Sequence, residues 1–425
     1  MQKKRTSFEA LPKSSAEEPC PYRSDLLTTK ASSLAPKLGQ FGAGRETAAL
    51  ARLSGMQIKP FRIEQFFGKY EFTTKYLLSS SDMQSCTIKE LLELESGSHE
   101  KFLQHWCGYT ESAGAPELRE VISGMYRGIK PTDVLVMGAT EEGIFVLYHA
   151  LLSPGDHVIV ETPCYESALE VASSTEAQIS EWRRRSEDGW AHDLAALEKL
   201  LRPNTKIIYI NTPHNPTGLL MQRGIFEKLI ALASSRGIIV FSDEVYRELE
   251  HDPATRLPAA CEVYDRAVSL GSMSKTYGLP GLRLGWLASK DTDILQRCLE
   301  LKYYTSICSS APSEFLSALA LRHRDLLIRR NREIVLRNLP HLDAFLRQRS
   351  NLFEWAKPNA SPIGFVRYKL DRDVFSFCEE VIQKAGVLLL PGTVYDEPGH
   401  IRFGYGRKNM PEALAHFSAY LDGRS

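Results

Sequence analysis

The sequence predicts an α/β protein built on a mainly parallel sheet and followed by a smaller α+β lobe. Between about residues 116 and 290, apolar strand-like runs alternate with amphipathic stretches, the pattern of a parallel sheet covered by helices on both faces. Polar clusters close several of those runs: "GAT" after "DVLVM", "PCY" after "VIVET", "PHNPTG" after "IIYINT" and "DEVY" after "IIVFS". The crevice beyond the carboxyl ends of such strands is where ligands bind. The chain is 43% hydrophobic and 24% charged, and its 52 basic residues balance 52 acidic ones, a globular composition without net charge to attract nucleic acid or an anionic membrane.

In chain order, residues 1–50 are rich in Ser, Ala, Lys and Glu without sustained periodicity and read as an N-terminal extension. In residues 51–110, aromatic and apolar residues recur between charges from "KPFRIEQFFGKYEF", and "CTIKELLELE" has amphipathic helix spacing. This stretch is expected to form the N-terminal part of a small domain and a linker. Residues 111–310 are expected to form the large domain, with strands in "DVLVMG", "HVIVETP", "AQISEWR", "KIIYINTP" and "IIVFSDEVY" and helices in "EEGIFVLYHALL", "DLAALEKLL" and "IFEKLIALASSRG". Residues 311–425 carry short strands in "FVRYKL" and "HIRFGYG" beside helices in "VFSFCEEVIQKAG" and "MPEALAHFSAYL", a second, α+β domain.

Eight cysteines are scattered with no CxxC pair, which points to free thiols in a reducing cytosol rather than a zinc site or a disulfide framework. The basic start "MQKKRTSFEALPKSS" has no apolar segment behind it, and no uninterrupted apolar run of about 18 residues occurs, so a cytoplasmic protein without a membrane span is expected. The first 60 residues show neither a helix-turn-helix pattern nor a strong basic patch, against a DNA-binding regulator.

The candidate chemistry gathers in "SMSKTYGLPGLRLGW", residues 272–286. A lysine serves as an imine-forming nucleophile when its environment lowers its pKa or holds a carbonyl beside it. Around Lys275 stand the hydroxyls of Ser272, Ser274 and Thr276, with Arg283 eight residues on. One lysine, several hydroxyls and one arginine able to fork onto phosphate suit a phosphorylated carbonyl compound. "GAT" at Gly138, Ala139 and Thr140 lies between a strand and a helix starting near Glu141, where amides attract anions; the alternative is a simple Thr140 N-cap. In "NTPHNPTG", prolines and Gly218 account for a turn but do not require Asn215. Asp243 ends an apolar strand, where a carboxylate is costly unless paired. It serves either a structural ion pair or a protonated ring nitrogen, with Tyr246 near a phenolic oxygen.

"NPTG", "SDEVY", "SMSK" and "GLRLGW", in this order and spacing, resemble the class I/II aminotransferase family of fold-type I pyridoxal-phosphate enzymes. The resemblance runs from about residue 60 to the C-terminus. It implies pyridoxal 5′-phosphate as cofactor and a seven-stranded, mainly parallel sheet. Lys275 would form the internal aldimine, Asp243 would keep the ring nitrogen protonated, and Asn215 and Tyr246 would bond the ring's 3-oxygen. Ser272, Ser274, Arg283 and the Gly138–Thr140 turn would hold the phosphate, and Tyr165 would stack on the ring. Tyr109 resembles the tyrosine that reaches the partner subunit's phosphate site, which implies a homodimer. Arg402 resembles the arginine that grips the substrate α-carboxylate, and Arg407 is expected to face solvent.

One segment departs from the family pattern. "YLLSSSDMQSCTIKELL" stands where members carry a glycine- and proline-containing loop. Ser81 and Asp82 are either specificity-setting residues or a plain helix cap. The departure resembles members that act as cyclases or oxidases on arginine-like substrates, capreomycidine synthase being one. The implied activity is transfer of an amino group from an L-amino acid to a 2-oxo acid, with a lyase, cyclase or oxidase on the same scaffold as the alternative. His105, Trp106, Glu111 and Tyr395 are pocket candidates for which ordinary packing is the simpler account. No metal-ligand spacing is present.

Overall fold

The computed structural model describes residues 57–423. The expected extension over residues 1–50 lies outside the described residues. The chain enters through α1 (Arg62–Tyr70), β1 (Tyr76–Leu77), α2 (Ile88–Leu92), α3 (Ser98–Leu103) and α4 (Pro116–Ser123). α1 turns Ile63 and Phe66 inward. It is fixed at its first turn by Arg62, which donates to Glu166 (2.6 Å) and Asp396 (2.7 and 3.0 Å). The helix expected in "CTIKELLELE" is α2, started by a reciprocal cap: the Glu90 amide donates to Thr87 Oγ1 (3.1 Å) and the Thr87 amide to Glu90 Oε2 (2.7 Å).

The central layer follows as β2 (Val134–Met137), α5 (Thr140–Leu151), β3 (His157–Thr162), α6 (Ser167–Ser173), β4 (Gln178–Arg183), α7 (Leu194–Leu200), β5 (Thr205–Asn211), α8 (Arg223–Arg236), β6 (Ile239–Asp243), α9 (Ala260–Val263), β7 (Ala267–Ser272) and β8 (Gly285–Ala288). These form the expected seven-stranded sheet, in the order β2-β8-β7-β6-β5-β3-β4. The five strands β3 to β7 run parallel, while β8 is antiparallel to both β7 and β2. Strands β2, β3, β5 and β6 are largely apolar runs because both faces are covered, while the edge strand β4 alternates exposed and buried residues. Val158, Val160, Tyr209 and Phe241 pack with Ile144 and Leu147 of α5 and Ala168 of α6. The intervening Ile159, Ile208 and Val240 pack with Phe226 and Leu229 of α8.

The last third comprises α10 (Thr292–Lys302), α11 (Ala311–Arg322), α12 (Arg324–Gln348), β9 (Phe353–Trp355), β10 (Ile363–Tyr368), α13 (Val374–Ala385), β11 (Val387–Leu388), β12 (Leu390–Pro391), β13 (His400–Gly404) and α14 (Met410–Leu421). An antiparallel sheet of order β12-β13-β10-β9 and the parallel pair β1-β11 share one core. That core joins Ile63 and Phe66 of α1 to Phe365, Phe403 and Phe417. The segment carrying Ser81 and Asp82 is thereby folded back beside the C-terminal strands. Among the described residues, no helix is long and apolar enough to cross a membrane, and the seven described cysteines are free thiols.

Candidate active site

Three strand ends and one helix start converge. β5 ends at Asn211, β6 at Asp243 and β7 at Ser272, while α5 begins at Thr140. The helix begins one residue earlier than expected, so Ala139 rather than Thr140 takes the N-cap position. Gly285 packs directly beneath this start: a Cβ there would stand 3.1 Å from the Thr140 amide nitrogen and 2.9 Å from the Gly271 carbonyl oxygen. Thr140 Oγ1 donates to Ser272 Oγ (2.9 Å), which also accepts from the Ser274 amide (3.0 Å). Hydroxyls and amides thus cluster at the positive end of a twelve-residue helix.

Asp243 is buried at the end of β6, its Oδ1 accepting from the Val245 amide (3.1 Å) and its Oδ2 from Tyr209 (3.2 Å). Burial pushes its carboxyl up to about 6 in spite of those two donors. Lys275 lies three residues past β7, and its Nζ donates to Ser81 Oγ (3.0 Å). Burial lowers its pKa, opposed by the charge of Asp82 and reinforced by that of Arg402. Tyr246 is 1% exposed and its Oη lacks a hydrogen bond of ordinary geometry. Burial drives its phenol well up, with Arg402 and Ser81 pulling the other way.

The turn after β5 brings in the other half. The Asn215 amide donates to Asn211 Oδ1 (2.6 Å), which aims Asn215 Oδ1 at Tyr395 Oη (3.0 Å) and Arg402 (3.3 Å). Gly218 makes the turn possible: its φ is +72°, and a Cβ would sit 2.1 Å from the Ile363 carbonyl oxygen. Arg402, 1% exposed, also donates to the Ser79 carbonyl (2.9 Å) and Tyr395 Oη, while its Nε has no partner. Tyr165 donates to Glu64 Oε1 (2.5 Å). Two more carboxyls feel the same charges. Burial raises Glu141 to about 7, with Ser167 and Lys275 opposing and Asp243 and Glu64 adding to the rise. Burial also raises Glu71, with Asp82 and Glu64 reinforcing and Arg407 and Lys275 opposing.

Lys275, Asp243, Tyr246, Asn215, Thr140, Ser272, Ser274, Arg402 and Ser81 are therefore brought into one neighbourhood. Others are not. The Gly138 amide is taken by Glu142 Oε2 (2.5 Å). Arg283 is exposed, with its guanidinium on the Pro280 carbonyl (3.2 Å) and a left-handed backbone. Tyr109 is 83% exposed. Arg407 does not face solvent as expected: it makes a two-oxygen ion pair with Asp82 (3.0 and 2.8 Å). Ser81 and Asp82 are not a helix cap, since Thr87 caps α2. His105 rests on Phe315 (5.1 Å), Trp106 is exposed, and Glu111 pairs with Arg119 (2.9 Å). Tyr395, for which ordinary packing is the simpler account in the sequence, is a polar member of the site. Its phenol lies seven residues before Arg402, a relation visible only once β12 and β13 pair.

The orphaned polar atoms Tyr246 Oη and Arg402 Nε, a half-buried amine and a buried strand-end carboxyl fit a planar, charged cofactor with a ring nitrogen, a ring oxygen and an aldehyde, and the hydroxyl cluster at α5 fits its phosphate. Comparison with known proteins gives the same answer. The family profile "Aminotransferase class I and II" matches residues 74–417. Capreomycidine synthase of Streptomyces vinaceus is 30% identical over 400 residues, covering 90% of this chain and 96% of that protein. The solved structure of a PLP-dependent aminotransferase from Streptococcus suis superposes with a TM-score of 0.82 at 31% identity, covering 87% of this chain and 99% of that one. The PLP-dependent cyclase OrfR superposes with a TM-score of 0.80 at 25% identity, covering 88% and 100%. The chain belongs to the class I and II aminotransferase family, and it is a fold-type I enzyme that depends on pyridoxal 5′-phosphate.

Proposed function

We propose that the enzyme transfers an amino group from an L-amino acid to a 2-oxo acid. The observation that carries this reading is the half-buried Lys275 amine, with lowered pKa, in the same neighbourhood as the strand-end carboxyl of Asp243 and the buried Arg402 fork. When bound, pyridoxal phosphate supplies the electron sink that lets an amino acid lose its α-proton. Asp243 would hold positive charge at the ring nitrogen, and Asn215 and Tyr246 would bond the ring oxygen. Ser272, Ser274, Thr140 and the amides of Ala139 and Thr140 would hold the phosphate. Tyr165 covers the ring face. Arg402 receives the α-carboxylate through two parallel N–H bonds, positioned by Tyr395 and Asn215. Lys275 Nζ takes the α-proton, and its lowered pKa enlarges the fraction able to accept one. The exposed aromatic residues Trp106, Tyr109 and Tyr304 support a homodimer in which Tyr109 reaches the partner's site. The test is to add amino acids one at a time: conversion of the cofactor to its amine form with release of an oxo acid is expected. No conversion with any donor refutes transamination.

A second reading, a cyclase, lyase or oxidase acting on an amino acid with a cationic side chain, is favoured by Glu64, Glu71, Asp82 and Glu141, whose charges interact with Lys275. The similarity to capreomycidine synthase and to OrfR leans the same way. Mass analysis of products from basic amino acids, with and without oxygen, separates it from the first.

A further inference from the structure

The turn that carries Asn215 is supported from behind by buried charge. Glu161, near the end of β3, is fully buried and accepts the Asn211 main-chain N–H through Oε2 (2.9 Å). Its Oε1 accepts from Arg184 (3.1 Å) and His192 (2.7 Å), and His214 Nε2 stands 3.9 Å away. Arg184, 2% exposed, spends its Nε on the Trp190 carbonyl (2.6 Å). Burial alone would raise the Glu161 carboxyl, but the hydrogen bond from His192 and the charge of Arg184 hold it well below the usual carboxylate range. Burial, followed by Arg184, lowers both histidines, His214 to about 3. With both imidazoles neutral, one negative and one positive charge balance in the interior. Such a pair adds little net stability over an apolar replacement, because desolvation offsets the attraction.

What the pair does touch is the site. Asn211 is the hub: its N–H is held by Glu161, its Oδ1 accepts the Asn215 amide (2.6 Å), and its Nδ2 donates to the Asp243 carbonyl (2.9 Å). Asn215 Oδ1 in turn orients Tyr395 and Arg402. We propose that Glu161, balanced by Arg184, is a positioning residue whose hydrogen bond to Asn211 sets the placement of Asn215 and Asp243 toward the cofactor. The inference rests on the reading of Asn215 and Asp243 as cofactor contacts.

The experiment uses full-length protein freed of cofactor and the probe pyridoxine 5′-phosphate, which fills the site without bonding to Lys275, with affinity read from tryptophan fluorescence. E161M removes the acceptor but strands the Arg184 charge, so the pair variant E161M/R184M, in which both charges go, is measured beside it, with E161D as a variant that keeps the charge and shortens its reach. The pair variant is expected to bind about tenfold more weakly with a urea midpoint near wild type, and E161D to fall between. Adding N211A should weaken binding no further than N211A alone, because the route is already cut. Wild-type affinity in the pair variant and E161D, or losses that multiply with N211A, overturn the proposal. Failure of the wild-type protein to bind the probe overturns the cofactor reading and the proposal with it.

Discussion

Replacing Asp243 by asparagine tests the buried carboxyl at the end of β6 without its partner present. The carboxyl titrates at about 6 in the folded chain against an ordinary 3.8, and it is only 7% exposed. A gap of about two units corresponds to about 3 kcal/mol at 1.36 kcal/mol per unit. The folded state binds this proton more tightly than the unfolded state, so the stabilisation is fully present below pH 3.8 and lost as pH rises through 6. The amide that D243N introduces cannot ionise. Urea denaturation of cofactor-free wild type and D243N at pH 4 and pH 8 should therefore show similar stability at the lower pH and an advantage of about 3 kcal/mol for D243N at the higher. With the cofactor bound, the cation at its ring nitrogen should reverse that order at pH 8. A difference between the two proteins that does not change with pH would refute the claim that burial, rather than an unrecognised cationic partner, governs Asp243.

Borohydride reduction of the holoenzyme followed by peptide mapping should place the cofactor on Lys275, and K275A should show neither trapping nor turnover; a label on another lysine defeats the assignment. R402K keeps the charge but loses the fork, and because charge-assisted hydrogen bonds contribute about 1.5–3 kcal/mol, the KM for the amino donor should rise roughly 10- to 150-fold. Cofactor affinity in R402K should change much less, and an equal loss of both would place Arg402 elsewhere. G218A combines a left-handed φ with a Cβ 2.1 Å from the Ile363 carbonyl oxygen, so it should cost about 2–5 kcal/mol of stability in urea; a wild-type midpoint would contradict the turn geometry.

Much of the large sheet is legible because strands buried on both faces read as unbroken apolar runs, and the polar clusters that close them mark the crevice. Asp243 stands out as a carboxylate ending such a run. Glu161 ends one in the same way, in "HVIVET", yet its role is hidden because its partners Arg184, His192 and His214 come from three separate segments. Tyr395 and Arg407 depart from expectation for a related reason. Whether a side chain after β12 or β13 points inward depends on how those strands pair and on the segment at residues 79–82 laid beside them. Local spacing around Ser81 and Asp82 also suits a helix cap, and only the capping box at Thr87 and Glu90 shows that the helix start is already supplied. Arg283 carries the right motif, but its contact with the Pro280 carbonyl and its exposure have no signature in "GLRLGW".

Arg62 docks α1 to Glu166 and Asp396, so part of the site's charge comes from outside the large sheet. Asp243 and Ser272 stand at strand ends of the large sheet. Glu64, Glu71, Ser81 and Asp82 belong instead to a leading stretch packed into the core of the C-terminal strands and paired through β1 with β11. A substitution at Glu64, Glu71 or Asp82 therefore alters the charge around Lys275 without touching a strand of the seven-stranded sheet.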